Sequence, residues 1–435
     1  MRAFWLVWTA TTGAQHTFVL AALRSLPSPA NSPPPWIGHR ARRILRRGHG
    51  SDASGCSEGS TALFFHFLQV AKEEVAQGKR DMSASAKGGK ALVKSDAGAY
   101  VAWSGTDQPE LAAEGLGCGL LLLRPLSFAL PHYADSPKFG YVLRGSGVAG
   151  VLPVATEDAS AAARERVVRL EAGDVIAVRT GDVSWWYNDS DGDTDDLSIL
   201  FLGDTERAVS PGDISYFFLA GGNSVLGGFD AGLLAGAWSG VTKEQAAAVF
   251  RSQPAVLLAG LSTKLTGVCP REHDRKGLVV NAGQVAAGTL KAVTAADLAA
   301  LGDLGISAVI GKLDPGAAQA PWVLREGAAQ AVYVARGSAR VQVSSSVGGE
   351  TLLLDEEAAA GSVLVLPRFA VALISAGADG AEWVSLIKSA RPEVEQLTGD
   401  GSVLDGLTAQ VVQASLSVAP ELVELLGGRS AEPSH

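Results

Sequence analysis

At 435 residues the chain is longer than a single hydrophobic core usually organises, so two domains are the starting expectation. Hydrophobic residues make up 47% and charged residues 19%, which excludes a mostly disordered chain. The formal charge of −9 argues against nucleic acid as a partner, because such binding neutralises phosphates with Lys and Arg. Three scattered cysteines, Cys56, Cys118 and Cys269, are too few for a disulfide scaffold or a Cys-type zinc site and fit a reduced, cytoplasmic compartment.

Residues 1–51 hold no Asp or Glu, while Arg2, Arg24, Arg40, Arg42, Arg43, Arg46 and Arg47 make them strongly basic. Two readings are open for residues 1–81. One is a targeting leader, Arg-rich and acid-poor, with apolar runs at 3–8 and 17–23. The other, preferred, is a disordered or artefactual extension: the two methionines are Met1 and Met82, and domain-like sequence begins after Met82. Neither apolar run is long enough to span a bilayer, so no membrane partner is expected.

Past Met82, short apolar runs separated by Gly, Asp, Ser and Pro predict strands and turns. Residues 139–151 (FGYVLRGSGVAGV) match 331–343 (AVYVARGSARVQV), residues 171–178 match 359–366, and 223–238 match 401–416. A repeat of roughly two hundred residues exceeds any solenoid unit and predicts two homologous domains. In each copy the last block changes to helical spacing, through Leu233, Leu234, Ala237 and Trp238, and through Val411, Val412, Ser415 and Leu416. The expected fold is all-β with helical tails. Its parts are an extension 1–81, a first unit 82–265, a junction 266–285, a second unit 286–427 and a tail 428–435.

These blocks resemble the cupin family. Within it they are most similar to the two-cupin, legumin-type (11S) seed storage globulins, especially the uncleaved vegetative and glutelin-like members. The resemblance covers about residues 90–427 and rests on FALPHYADSPKFGYVLRGSGVAGV, GDVIAVRTGDVSWWYND and NSVLGGFDAGLLAGAW. In the second half it rests on AQAVYVARGSARVQV, GSVLVLPRFAVALISAGADGAEWVSL and GSVLDGLTAQVVQASLSVAPE. It implies tandem RmlC-like jelly-roll barrels, each a double-stranded β-helix. It also implies non-catalytic nutrient-reservoir activity, and self-association through the helical tails into trimers that can stack as hexamers.

Cupin enzymes hold a metal on two His and a Glu from one motif and a His from a second. The second motif's frame falls here on Gly173, Arg179, Gly181, Ser184 and Asn188, which puts Ser184 at the ligand His; counting back from Gly145 puts Lys138 at the Glu. In the second unit the same positions are Ala372 and Gln330, and no histidine lies between His273 and His435. No metal, no other cofactor and no catalytic residue is expected. His132 is the one histidine left inside a barrel. It reads either as an ordinary core histidine or as part of a ligand pocket with Tyr133, Ser184, Trp185 and Asn188. The run Asp189, Asp191, Asp193, Asp195, Asp196 lacks the terminal Glu of an EF-hand and reads as a solvated turn.

Departures from seed legumins are Asn281-Ala282 where a processing Asn-Gly is expected, Cys269 without an evident partner, and only 4 Asn and 13 Gln. They favour an unprocessed cytoplasmic relative, with a protein storage vacuole or organelle as the alternative should residues 1–81 act in targeting. The alternative to storage is a small-molecule-binding or cryptic metal-dependent cupin centred on His132.

Overall fold

The computed structural model describes residues 86–154, 164–192, 195–249, 252–346 and 351–425. The basic segment and Met82 lie outside the described residues, and so do the two readings of 1–81. Both repeats belong to one compact unit, Met82–Ser345 with Leu352–His435.

The first repeat folds into two antiparallel sheets. One runs Val279–Asn281, Asp174–Val178, Lys138–Arg144, Leu197–Asp204, Leu116–Leu123, Gly98–Trp103 and Lys90–Ser95. The other runs Tyr216–Phe218, Ser127–Ala134, Val183–Asn188, Ser146–Leu152 and Arg166–Glu171, with Leu258–Gly260 also on Ser127–Ala134. Between them lie Leu121, Val142, Val151, Leu170, Ile176, Trp186, Ile199 and Phe201. The second repeat makes one nine-stranded sheet, because Gln330–Ser344 and Val371–Ile387 run unbroken from one face to the other. Where these strands bend, Gly337 has φ +70°, and a Cβ there would stand 2.0 Å from the Gly380 carbonyl oxygen. Gly145 holds the matching place in the first barrel, with φ +80° and a Cβ 2.4 Å from the Asp196 oxygen. The repeated RGS motif is therefore a backbone requirement, a left-handed residue with no room for a side chain.

Side-chain alternation along Lys138–Arg144 sorts that strand: Val142 points into the barrel, while Phe139 and Tyr141 point out. The outward residues form a second core shared by both repeats. Phe139, Val175, Leu200 and Leu202 meet Ala331, Val363, Val384 and Leu386, with Trp103 edge-on to Tyr333 at 5.6 Å. The two sets occupy equivalent repeat positions, so the contact has the self-complementary form of a two-fold dimer inside one chain. Strand exchange reinforces it. Lys87–Gly88, ahead of the first barrel, pairs with Ser362–Leu366 of the second, and Val279–Asn281, ahead of the second, pairs with Asp174–Val178 of the first. Ion pairs repeat the pattern, Arg179 to Asp303 at 2.7 Å and Arg368 to Glu114 at 2.9 Å.

The expected tails are present as short helices, Ala231–Ala237 and Lys243–Val249 after the first barrel, and Ala409–Leu416 and Pro420–Leu425 after the second. Asp230 caps the first by accepting from the Gly232 and Leu233 amides at 2.8 and 3.0 Å. Thr242 and Gln245 form a capping box on the next, at 2.9 and 3.2 Å. Phe229, Leu233 and Trp238 are exposed on one tail, and Leu407, Val411 and Leu416 on the other, with one chain spacing relating each pair. No helix among the described residues is long and apolar enough to cross a membrane.

Candidate functional site in the first barrel

The positions singled out by sequence meet at the junction of Ser127–Ala134 and Val183–Asn188, where His132 sits opposite Ser184. Pairing slips by one residue between Ser184 and Trp186, a bulge that brings both His132 and Ala129 to the inner face. His132 is buried, and its Nδ1–H donates to the Leu130 carbonyl at 2.8 Å. Its ring packs edge-on to Tyr216 at 5.1 Å and against Phe218 at 5.7 Å. Burial, with the Lys138 ammonium nearby, pulls its pKa down to about 4.

Lys138 enters the same interior. It is 1% exposed, its Nζ lies over the Tyr216 ring at 5.3 Å, and no hydrogen-bond partner reaches it among the described residues. Burial lowers its pKa to about 8, opposed by the charges of Asp135 and Asp182. The Tyr216 hydroxyl is 2.7 Å from that of Tyr100, and burial raises both phenols.

The five expected pocket residues divide between different places. His132 and Ser184 are inside. Trp185 points the other way, to a satellite cluster with Val148, Val167 and Tyr187, and its indole donates to Glu165 at 2.6 Å. Tyr133 stacks on Phe217 at 4.9 Å, one residue along from the inward pair His132 and Phe218. The period of two along each strand forces this division. Asn188 ties off the strand end, its Nδ2 donating to the carbonyls of Leu123 at 3.0 Å and Asp195 at 2.7 Å. Tyr216 and Phe218, which close the site, were not singled out by sequence; the signal was the alternation in Tyr216-Phe217-Phe218.

These side chains do not fit a divalent metal. With Nδ1 donating to Leu130, His132 offers a single imidazole lone pair on Nε2, a protonated Lys138 has no lone pair, and the Ser184 hydroxyl is a weak donor to such ions. In the second barrel Trp322 faces Ala372 where His132 faces Ser184, and Gln330 takes the place of Lys138. The first set keeps one imidazole and no carboxylate, and the second has neither, short of the donors a cupin metal uses. Among the described residues, no group of three or more His, Cys, Asp or Glu could hold a metal ion. In the acidic turn Asp189 takes both guanidinium nitrogens of Arg169, at 2.7 and 2.8 Å, and Asp191 pairs with Lys264 at 3.0 Å. Asp193 lies outside the described residues.

Two barrels with a shared two-fold core and helical tails define a bicupin, and the Cupin family profile matches residues 85–221 and 281–424, so the chain belongs to the Cupin family. It is similar to the 11S globulin seed storage protein 2 of Sesamum indicum, 23% identical over 402 residues that cover 77% of this chain and 86% of that protein. The 12S seed storage protein CRD of Arabidopsis thaliana is 23% identical over 386 residues, covering 75% and 84%. The crystal structure of procruciferin, the 11S globulin of Brassica napus, superposes with a TM-score of 0.69 at 21% identity, covering 81% of this chain and 95% of that one. These likenesses place the chain among two-cupin, legumin-type globulins. They also correct the cytoplasmic expectation. Seed storage globulins are held in protein storage vacuoles, and a low cysteine count does not fix the compartment. Cys118 and Cys269 are both free thiols, one buried and one exposed, and Cys56 lies outside the described residues.

Proposed function

We propose that the protein is an oligomeric bicupin of the nutrient-reservoir class that catalyses no reaction. The observation that carries this is the loss of metal-binding positions, to Lys138 and Ser184 around a single remaining His132 in one barrel and to Trp322, Gln330 and Ala372 in the other. A reservoir needs a stable, dense fold and later proteolysis, and no active-site chemistry. The names of its relatives favour this reading over a metal-dependent or small-molecule-binding cupin. Quantifying the protein in seed protein bodies tests it. Accumulation as a major component is expected, and trace expression confined to leaves would refute it. A stoichiometric transition metal on His132 in the purified protein would likewise overturn the non-catalytic reading.

Three further parts belong to the proposal. The units run 82–265 and 286–427, joined by 266–285, and the sheet membership of all strands but the exchanged Lys87–Gly88 and Val279–Asn281 supports these bounds. The copies associate through the tails as trimers that can stack into hexamers, supported by the exposed apolar residues repeated on both tails. The junction stays uncut. Asn281 is paired in a strand, donates to Asp174 at 2.9 Å and accepts from the Gly283 amide at 2.8 Å, which keeps its peptide bond out of a protease's extended cleft. A denaturing gel showing two chains split after Asn281 would contradict that.

A further inference from the structure

The buried ammonium of Lys138 in the first barrel has no directly bonded acceptor among the described residues. The acids that act on Lys138 through space are committed elsewhere. Asp135 accepts from the Ser136 hydroxyl and from the Val209 and Ser215 amides, and Asp182 from the Val154 and Arg179 amides. Two more buried donors in this interior, the Ser184 hydroxyl and the Trp186 indole N–H, also lack a partner among the described residues. Ser184 faces His132, whose ring abuts the same Tyr216 that Lys138 overlies, and Trp186 follows two residues along the same strand. His132 adds no acceptor charge, being neutral at pH 7. An ammonium, a hydroxyl and an indole N–H thus share one aromatic interior.

Buried polar groups are normally satisfied, and buried charges paired, so this donor set calls for an anionic acceptor. Ring centroids at 4.9 to 5.7 Å, among His132, Tyr216, Phe218, Trp186 and Phe201, are at contact spacing. In so closely packed an interior the smallest anions demand the least displacement, which favours a monatomic ion over a carboxylate or phosphate. We propose that the first barrel binds a single halide ion, held by Lys138 Nζ and the Ser184 hydroxyl with the Trp186 indole N–H as a third donor. The lysine remains protonated at neutral pH and below, so the site keeps its charge wherever the protein is stored. The second barrel, with Gln330 and Ala372 at these places, has no such site.

Bromide is the probe. Crystals of the full chain soaked in sodium bromide should show an anomalous peak inside the first barrel within hydrogen-bond distance of Lys138 Nζ, and none beside Gln330. In solution the melting temperature should rise by about 2 °C or less per tenfold increase in chloride above the dissociation constant, measured against gluconate at equal ionic strength. That dependence should vanish in Lys138→Gln. Bromide found only on the surface, or the same chloride response in wild type and Lys138→Gln, would overturn the proposal. If Lys138→Gln does not fold, the wild-type bromide map decides alone.

Discussion

Asp174→Ala tests how the junction between the barrels is held. The Asp174 carboxylate is fully buried at the start of its strand and accepts both guanidinium nitrogens of Arg275 at 2.9 and 3.0 Å. It also accepts Asn281 Nδ2 at 2.9 Å and the Glu171 amide at 2.9 Å. One side chain thereby fastens the turn it closes and two points of the incoming segment. Removing one partner of a buried pair costs about 3–5 kcal/mol, and the partial exposure of Arg275 favours the lower end, about 3 kcal/mol. For a chain of this size that lowers the melting temperature by about 5 °C. If the loss falls on local opening of the segment, cleavage by trypsin at Arg271, Arg275 and Lys276 accelerates by about two orders of magnitude. Asp174→Asn keeps the acceptor shape without the charge and should lose about half as much stability. Calorimetry and a limited-proteolysis time course on both variants make the test. An Asp174→Ala protein that melts within one degree of wild type and is cut no faster would mean that strand pairing alone holds the junction.

Acidification gives a second prediction. With a folded pKa of about 4 against an unfolded value near 6.5, His132 contributes stability that is complete above pH 6.5 and is lost as pH falls toward 4, about 3 kcal/mol in all. Subtracting the His132→Leu melting curve from that of wild type across this range should isolate the loss; a flat difference would refute it. Gly145→Ala and Gly337→Ala each force a Cβ into a carbonyl oxygen at positive φ, and each should cost about 2–4 kcal/mol in chemical denaturation. Leu233→Asp or Val411→Asp should reduce the native mass in light scattering while shifting the melting temperature by under about 1 °C, because both side chains are exposed within one chain, Leu233 by 77%.

The duplication, the strands and the helical tails were legible because they depend on features a sequence displays directly: repeated glycines where no side chain fits, period-two burial, and a change to helical spacing. The exchanged strands were not. Lys87–Gly88 and Val279–Asn281 are two and three residues long, too short to carry a period, and their partners lie in the other repeat. Counting residues from the motif glycines leads to Lys138 and Ser184, both buried in the first barrel, and to Gln330 and Ala372 at the matching strands of the second. Tyr133 and Trp185 stand next to inward residues in sequence but face away from them, because neighbours on a strand point to opposite sides. The count also passes over Tyr216 and Phe218, which reach His132 from a strand that lies far along the chain, beyond most of the first barrel. The charge at Lys138 was visible in the sequence, but only the structure shows that the acids around it are already engaged with backbone amides.

The two kinds of repeated surface have different consequences for assembly. The shared core joins equivalent residues of both repeats about a two-fold relation, so it is closed and fully used within one chain. The tails are also equivalent to each other, Phe229 to Leu407, Leu233 to Val411 and Trp238 to Leu416, yet each leaves its apolar residues exposed. One chain therefore has two similar apolar ends and a buried two-fold contact between them. If the first tail of one copy packs on the second tail of the next, the contact is head-to-tail, and such contacts either close into a ring or continue without limit. The roughly two-fold relation inside the chain makes successive tails nearly interchangeable around a ring. A closed ring buries every tail, whereas a monomer leaves both exposed as patches of the kind that drive association.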